Sequence, residues 1–316
     1  MEYLSSSLIR QLSQLDLVAR LVVDGMTSGQ HMSPFYGFNI EFAEHRQYMP
    51  GDDVKHVDWK VLAKREKLYV KQYEESTSLK AMILLDVSRS MEFASRQLIP
   101  REESNADGDS ANPAREDRYV EISKLLYSKY LVAALSYLML SQKDSVGVVT
   151  FSDQVHEFII PRSNPGHLHL ILETIDKAKT GKKTGISETL ERVAHQLKRR
   201  ALIVVISDFL DDAEELLRGI TYLKHLKHEP MLLQVLTPEE LEFPYDRPAR
   251  FIDMEDGSHL DLEPKVMRDE YKRLLGGFME RVSFECGYHK IDYQKFSTGD
   301  PVELVLSRYL MKRSRM

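Results

Sequence analysis

Four short apolar segments recur from residue 80 onward, and they constrain the fold more than any other feature of the chain. They are residues 81–87, 145–151, 201–207 and 230–236. Segments of this length and composition are typical of strands that are buried on both faces of a sheet. Helical patterns lie between them, with Leu216, Ile220 and Leu223 on one face. This alternation predicts an α/β fold with a mostly parallel central sheet flanked by helices.

Two further patterns predict antiparallel pairs beside that repeat. Residues 155–160 follow the second apolar segment after a short turn, which predicts an antiparallel edge strand formed by a hairpin. Residues 250–254 and 259–262 flank Glu255-Asp256-Gly257-Ser258, whose Asp-Gly pair is typical of a hairpin turn. We expect a last strand at 288–296 and a last helix at 302–312.

The chain before the first apolar segment follows a different pattern. Apolar residues repeat with helical spacing in 5–23, and little periodicity follows in 25–75. We therefore predict an N-terminal segment, residues 1–78, followed by a domain at 79–316. Within that domain, residues 95–118 hold few apolar side chains and many turn formers, which predicts a flexible polar insertion.

Composition excludes several classes of protein. The 316 residues carry 43 Lys and Arg against 49 Asp and Glu, a net charge of −6, so the chain has no overall attraction for nucleic acid. Its single cysteine, Cys286, permits neither an internal disulfide nor a zinc site built from cysteines. Neither a transmembrane segment nor a secretory signal is evident in the sequence. We expect a cytoplasmic protein.

Carboxylate and hydroxyl side chains follow two of the apolar segments. Asp86-Val87-Ser88-Arg89-Ser90 comes directly after the first, and Asp208 follows the third. The carboxyl ends of parallel strands form the edge of a sheet where ligands bind. Taken alone, the first of these sequences is equally typical of a helix N-cap. With Asp208, and with Thr184 in a loop before a predicted helix, the oxygen ligands favour a divalent cation such as Mg²⁺.

Together, Asp86, Ser88, Ser90, Thr184 and Asp208 resemble the metal-ion-dependent adhesion site of von Willebrand factor A-type domains. Residues 51–60 (GDDVKHVDWK), with the preceding 41–50 (EFAEHRQYMP), carry a more specific resemblance. They are similar to the bacterial family of A-domain-like proteins encoded beside MoxR-type AAA+ ATPases (domain of unknown function 58). The resemblance covers most of residues 25–293. It departs from the family at Thr184, where a Gly-Gly-Thr-Asp type of loop is usual.

The resemblance implies that the chain binds a protein and is not an enzyme. Ser88 and Ser90 would bind the cation directly, whereas Asp86 and Asp208 would act largely through water. Thr184 would contact the ion directly or through water. The ion would be Mg²⁺, or another divalent cation such as Mn²⁺ or Ca²⁺, with one position open for an acidic residue of a protein partner. The implied partner is a MoxR-type ATPase, and the pair would act in the assembly or maturation of other proteins.

Three upstream carboxylates leave a second hypothesis open. As ligands of a second metal ion, or as a general base, Asp52, Asp53 and Asp58 would make the chain a metal-dependent hydrolase. The same sequence is rich in turn formers, which favours a structural role for these residues. The hydrolase hypothesis requires the three carboxylates to lie close to Asp86 and Asp208 in space.

Overall fold

The computed structural model describes most of the chain after residue 78 and part of the chain before it. The described residues are 39–48, 61, 68–76, 79–98, 119–164, 166–181, 185–210, 213–302 and 305–306. Residues 35–80 belong to a smaller compact unit, and the described residues from 81 onward belong to a larger one.

The described residues form twelve strands and six α-helices. The strands are β1 (Asn39–Gln47), β2 (Tyr69–Ser76), β3 (Lys80–Asp86), β4 (Ala94–Leu98), β5 (Tyr119–Ser123), β6 (Ser145–Phe151), β7 (Val155–Arg162), β8 (Leu202–Ser207), β9 (Glu229–Leu236), β10 (Ala249–Ile252), β11 (His259–Leu262) and β12 (Asp292–Ser297). The helices are α1 (Lys124–Ser141), α2 (His167–Lys177), α3 (Ile186–Gln196), α4 (Ala213–His225), α5 (Pro238–Glu242) and α6 (Pro264–Tyr288). In the smaller unit, β1 and β2 form an antiparallel pair.

The larger unit is built on a six-stranded sheet with the order β12-β9-β8-β3-β6-β7. The strands β3, β8, β9 and β12 pair in parallel, and β7 lies antiparallel to β6 at one edge. The main-chain amide of Val87 donates to the carbonyl oxygen of Phe151 at 2.8 Å, which brings the carboxyl ends of β3 and β6 to the same edge. The predicted fold class and the predicted edge strand are confirmed.

Helices cover both faces of the sheet, so its central strands are buried along nearly their whole length. On one face, side chains of α3, α4 and α6 pack with alternate residues of β3 and β8, such as Met82, Leu84 and Val205. The apolar face predicted for α4 is part of this core. The helix α1 contacts β6 and β9, and it is buried around most of its circumference. Each fully buried leucine or valine in such a core contributes about 1.5–3 kcal/mol.

In the larger unit, two antiparallel pairs of the described strands lie outside the six-stranded sheet. The strands β4 and β5 form one of them. The strands β10 and β11 form the other, in the predicted position, and their turn contains Gly257 at a φ of 75°. Across this second hairpin the exposed Arg250 guanidinium binds both carboxylate oxygens of Asp261.

Three expectations about element bounds need correction or remain open. The last strand begins at Asp292 rather than at residue 288, because α6 continues to Tyr288. The predicted insertion starts too early, because Ser95 belongs to β4 and its buried hydroxyl lies 3.1 Å from that of Thr298. Residues 99–118, and most of the predicted last helix, lie outside the described residues. In the described ranges, no helix has the length and apolar composition needed to cross a bilayer.

Candidate cation-binding site

The loop after β3 folds back over the end of the strand. Asp86, the last residue of β3, is fully buried, and its Oδ1 accepts a hydrogen bond from the main-chain amide of Ser88 at 2.8 Å. A short 3-10 helix, Arg89–Glu92, follows. The hydroxyl oxygens of Ser88 and Ser90 lie 3.1 Å apart. The loop therefore gathers a carboxylate and two hydroxyl groups within five consecutive residues.

The alternative interpretation of this loop as a helix N-cap agrees with the backbone conformation but not with the side-chain hydrogen bonds. Ser88 occupies the residue before the 3-10 helix and has the extended conformation of an N-cap, but its side chain makes no capping hydrogen bond. A capping serine usually accepts a hydrogen bond from a main-chain amide in the first turn of the helix. The Ser88 hydroxyl does not, and it faces the hydroxyl of Ser90 instead.

The end of β8 adds a second carboxylate at the same edge. β8 pairs in parallel with β3, with Leu85 opposite Ile206, so Asp86 and Asp208 follow neighbouring strand ends. The hydroxyl of Ser207 donates to Oδ2 of Asp86 at 2.6 Å and connects the two strands. Asp208 and Ser90 both line one cavity. Four of the five predicted ligands are thus brought together, and Thr184 lies outside the described residues.

Burial is the main influence on the ionisation of Asp86. Together with the negative charge of Asp208, burial raises the pKa of Asp86 to about 7, although hydrogen bonds from Ser207 and Ser88 act in the opposite direction. A buried carboxylate with a raised pKa gains from a nearby cation, because a cation favours the charged form.

A buried lysine that the sequence analysis did not single out binds the second carboxylate. The Nζ atom of Lys124, the first residue of α1, lies 2.7 Å from Oδ2 of Asp208 and 2.6 Å from Oε1 of Glu240. Only 1% of the lysine side chain is exposed. Burial disfavours its ammonium form, but the carboxylates of Asp208 and Glu240 outweigh burial and raise the pKa of Lys124.

Glu240 connects this ion pair to the start of α5. Its Oε2 accepts a hydrogen bond from the main-chain amide of Thr237 at 2.8 Å, while the Thr237 hydroxyl caps the amide of Glu240. The sequence Thr-Pro-Glu-Glu at 237–240 is a readable capping-box pattern, so the role of Glu240 in capping could have been found. Neither the ion pair of Lys124 nor the hydroxyl bridge of Ser207 has a comparable local signal.

The hydroxyl pair and the carboxylates fit a hard divalent cation. Adjacent ligands of an octahedral Mg²⁺ with bonds of about 2.0–2.1 Å are about 2.9 Å apart, close to the 3.1 Å between Ser88 and Ser90. The oxygens of Asp86 and Asp208 already accept hydrogen bonds, and each keeps a further lone pair for water. Among the described residues, no group of three or more His, Cys, Asp or Glu is arranged to hold a metal ion, so the fit depends on the serines.

A cavity of about 360 Å³ adjoins these residues. Ser90, Phe93, Lys124, Asp208 and Leu210 line one part of it, and the rest of its wall comes from α5 and the loop after it, from α6, and from the β10–β11 hairpin with its turn. The candidate site therefore faces a space large enough for a group from another molecule. Asp52, Asp53 and Asp58 lie outside the described residues, so the hydrolase hypothesis stays untested.

Comparison with known proteins shows a family without a known function. A family model with the description "Protein of unknown function DUF58" matches residues 44–106 and 118–276. Uncharacterized proteins of Mycobacterium bovis and Mycobacterium tuberculosis are each 25% identical over 269 residues, which cover 83% of this chain and 76% of the relative. The family match leaves out residues 107–117, which belong to the predicted insertion.

Solved structures with partial similarity include two from Bacteroides. The conserved hypothetical protein BatB from Bacteroides thetaiotaomicron has 15% sequence identity and a TM-score of 0.46, covering 76% of this chain and all of that one. An aerotolerance-related membrane protein from Bacteroides fragilis has 16% identity and a TM-score of 0.45, covering 75% and 99%. Scores this low support no finer assignment of the fold.

Proposed function

We propose, from the premise that this chain belongs to the DUF58 family of proteins of unknown function, that it is a divalent-cation-dependent protein-binding adaptor. The observation that supports this most is the pair of serine hydroxyls 3.1 Å apart beside Asp86. In this proposal Ser88 and Ser90 bind Mg²⁺, or another divalent cation such as Mn²⁺ or Ca²⁺, directly. Asp86 and Asp208 hold it through water, and Thr184 completes the ligand set.

The hydrogen bonds of the two carboxylates favour recognition over catalysis. Asp86 is fully buried and Asp208 is ion-paired with Lys124, whereas a general base must be within reach of the substrate and able to take up its proton. A cation that faces its carboxylates through water keeps affinity for one more carboxylate. We propose that an acidic residue of a partner protein supplies that carboxylate.

The partner in this proposal is a MoxR-type AAA+ ATPase, and the larger unit is a von Willebrand factor A-like domain. Both parts follow from the resemblance of residues 41–60 and 86–90 to the A-domain-like family. The pair would act in the assembly or maturation of other proteins. This chain would provide the protein binding, and the ATPase would provide the energy.

Removing one serine ligand tests the cation site. Ser88→Ala is expected to lower the affinity for Mg²⁺ by at least about 10–100-fold, because the loss of a residue that only supports a metal ligand already costs that much. Ser152→Ala is the matched control, because Ser152 is a buried serine at the neighbouring end of β6 whose hydroxyl binds His156. Isothermal titration calorimetry on folded variants measures both. Equal affinity in wild type and Ser88→Ala, or no binding by the wild type, would contradict the site.

A capture experiment tests the adaptor function with the same variants. The immobilised protein is expected to retain a purified MoxR-type ATPase from the same organism in Mg²⁺ and to release it in EDTA. Ser88→Ala should reduce the retained amount, and Ser152→Ala should not. Retention that is equal in EDTA and in Mg²⁺ would show that the cation has no part in binding this partner.

A further inference from the structure

The cavity beside the candidate cation site has aromatic walls. The rings of Phe243 and Tyr271 stack with centroids 4.6 Å apart, and Phe251 stacks on Phe243 at 5.5 Å. Tyr245 meets Phe243 edge to face at 5.2 Å. Phe243 is buried, whereas the other three rings are half-exposed and line the cavity. Aromatic faces attract cations, because their π electrons carry negative charge.

The charged groups of the same wall are mostly acidic. The carboxylates are those of Asp208, Glu239, Glu240, Asp253 and Glu255. Among the described residues, Lys124 is the single cationic residue of the lining, and it already binds Asp208 and Glu240. Oε2 of Glu239 is buried and accepts no hydrogen bond from the described part of the chain. The wall thus keeps an excess of negative charge, and one of its carboxylate oxygens has no partner.

The excess of carboxylates beside aromatic rings favours a positively charged group as the occupant of the cavity. A partner segment that brought only an acidic residue to this edge would be repelled by Glu239, Asp253 and Glu255. A guanidinium or ammonium group would be attracted by both the rings and the carboxylates. The cavity volume of about 360 Å³ is at the lower end of ligand-binding pockets, which suits one long side chain rather than a folded element.

We propose that this cavity accepts an arginine or lysine side chain from the protein that binds at the candidate cation site. The partner segment then carries two charges of opposite sign close together: an acidic residue for the cation and a basic residue for the cavity. The proposal rests on the proposed function in its choice of partner, but the cavity, its rings and its carboxylates are independent of any bound ion. The basic residue would distinguish the true partner from other acidic surfaces.

Peptide binding tests the proposal directly. The probes are acetylated, amidated peptides with an aspartate and an arginine separated by none, one, two or three glycines. Citrulline, which has the shape of arginine without its charge, replaces arginine in the matched peptides. In Mg²⁺, the best arginine peptide is expected to bind at least about tenfold more tightly than its citrulline counterpart, as measured by NMR titration of the protein.

Variants of the cavity wall test whether the preference for arginine over citrulline arises in the cavity. The double variant Glu239→Gln, Asp253→Asn is expected to abolish the preference for arginine over citrulline. The double variant Glu188→Gln, Glu191→Gln removes two exposed carboxylates of α3 outside the cavity and should leave the preference unchanged. The comparison separates a local effect from a general effect of net charge.

The outcomes distinguish a failure of the cavity from a failure of the cation site. Equal affinity for arginine and citrulline peptides, with binding still lost in EDTA, overturns the cavity proposal and leaves the cation site intact. A preference for arginine that persists undiminished in EDTA supports the cavity and contradicts cation-dependent binding. If no arginine peptide binds at millimolar concentration, the cavity proposal is wrong.

Discussion

The ends of β3 and β8 lie side by side, and a carboxylate lies at each end. Asp86 is the last residue of β3 and Asp208 directly follows β8, but their side chains have different environments. Asp86 accepts hydrogen bonds from neutral groups, the amide of Ser88 and the hydroxyl of Ser207. Asp208 accepts one from the ammonium group of Lys124. Burial and the charge of Asp208 raise the pKa of Asp86 to about 7. The carboxylates at two neighbouring strand ends therefore differ in their partners, because a helix brings an ammonium group to only one of them.

The difference also sets the charge that a bound ion would meet. Asp86, Asp208 and Glu240 bring three negative charges when all are ionised, and Lys124 brings one positive charge. The remainder is two negative charges, which one divalent cation would neutralise. Lys124 thus offsets one of the three negative charges, and a divalent cation would neutralise the other two, in agreement with the proposed function.

Removal of the lysine charge is expected to have the largest effect on stability. Lys124→Met leaves two carboxylates without their buried counter-ion, which costs about 3–5 kcal/mol of the free energy of unfolding. Lys129→Met is the control on the same helix, since Lys129 is half-buried and, within the described residues, donates one hydrogen bond, to the carbonyl oxygen of Asp176 at 3.1 Å. Loss of that bond costs about 1 kcal/mol. Urea denaturation measures both free energies of unfolding. Similar losses in the two variants would show that the ion pair stabilises the fold no more than an ordinary hydrogen bond does.

Neutralising each carboxylate in turn sharpens the comparison. Asp208→Asn weakens the ion pair of a buried lysine and should cost about 1.5–3 kcal/mol, the range for hydrogen bonds to charged groups. Asp86→Asn should cost less than about 1.5 kcal/mol, because the Ser88 amide can donate to the carboxamide oxygen and the Ser207 hydroxyl can reverse to accept from the carboxamide nitrogen. Both free energies are measured by urea denaturation in EDTA, so that no divalent ion contributes. A larger loss for Asp86→Asn would reverse the assignment of the charged and neutral environments.

The smallest effect is expected at the second partner of the lysine. Glu240→Gln keeps one acceptor oxygen, which can serve Lys124 or the capping box but not both, and water can reach the group left unpaired because the Glu240 side chain is 14% exposed. Its cost should stay below about 1 kcal/mol, which a thermal shift of a few degrees would reveal. Glu242→Gln, an exposed position in the same short helix, is the control. A cost as large as that of Asp208→Asn would mean that Glu240 is the main counter-ion.

The sheet could be predicted because its strands carry a local signal. β6 has the predicted bounds, 145–151. β3 begins and ends one residue before the predicted segment, and β8 and β9 differ from theirs by one residue at their first position. Strands buried on both faces must be apolar throughout, and that pattern is visible without any knowledge of their neighbours. The long helix α6 escaped prediction, because its apolar residues are divided between a buried and an exposed side.

The candidate site could be predicted only in the part that belongs to the strand ends. Asp86, Ser88, Ser90 and Asp208 were found because the carboxyl edge of a parallel sheet collects the residues that follow its strands. Lys124 is 84 positions from Asp208, and Ser95 is 203 positions from Thr298. Such contacts depend on how a helix or a hairpin packs against the sheet. The sequence around a polar side chain does not indicate which distant residue it will contact.

The β10–β11 hairpin gives the cavity a wall that is energetically separate from the sheet. Each of its strands has four residues, and its hydrogen bonds do not join the six-stranded sheet. A two-stranded hairpin of this size has little stability of its own, so its opening costs much less than unfolding of the core. Under the proposed function, the binding surface would combine a rigid part at the strand ends with a more mobile part at the hairpin. Such a surface would accept related partners whose basic side chains differ in length, while their acidic residue would bind at a fixed position.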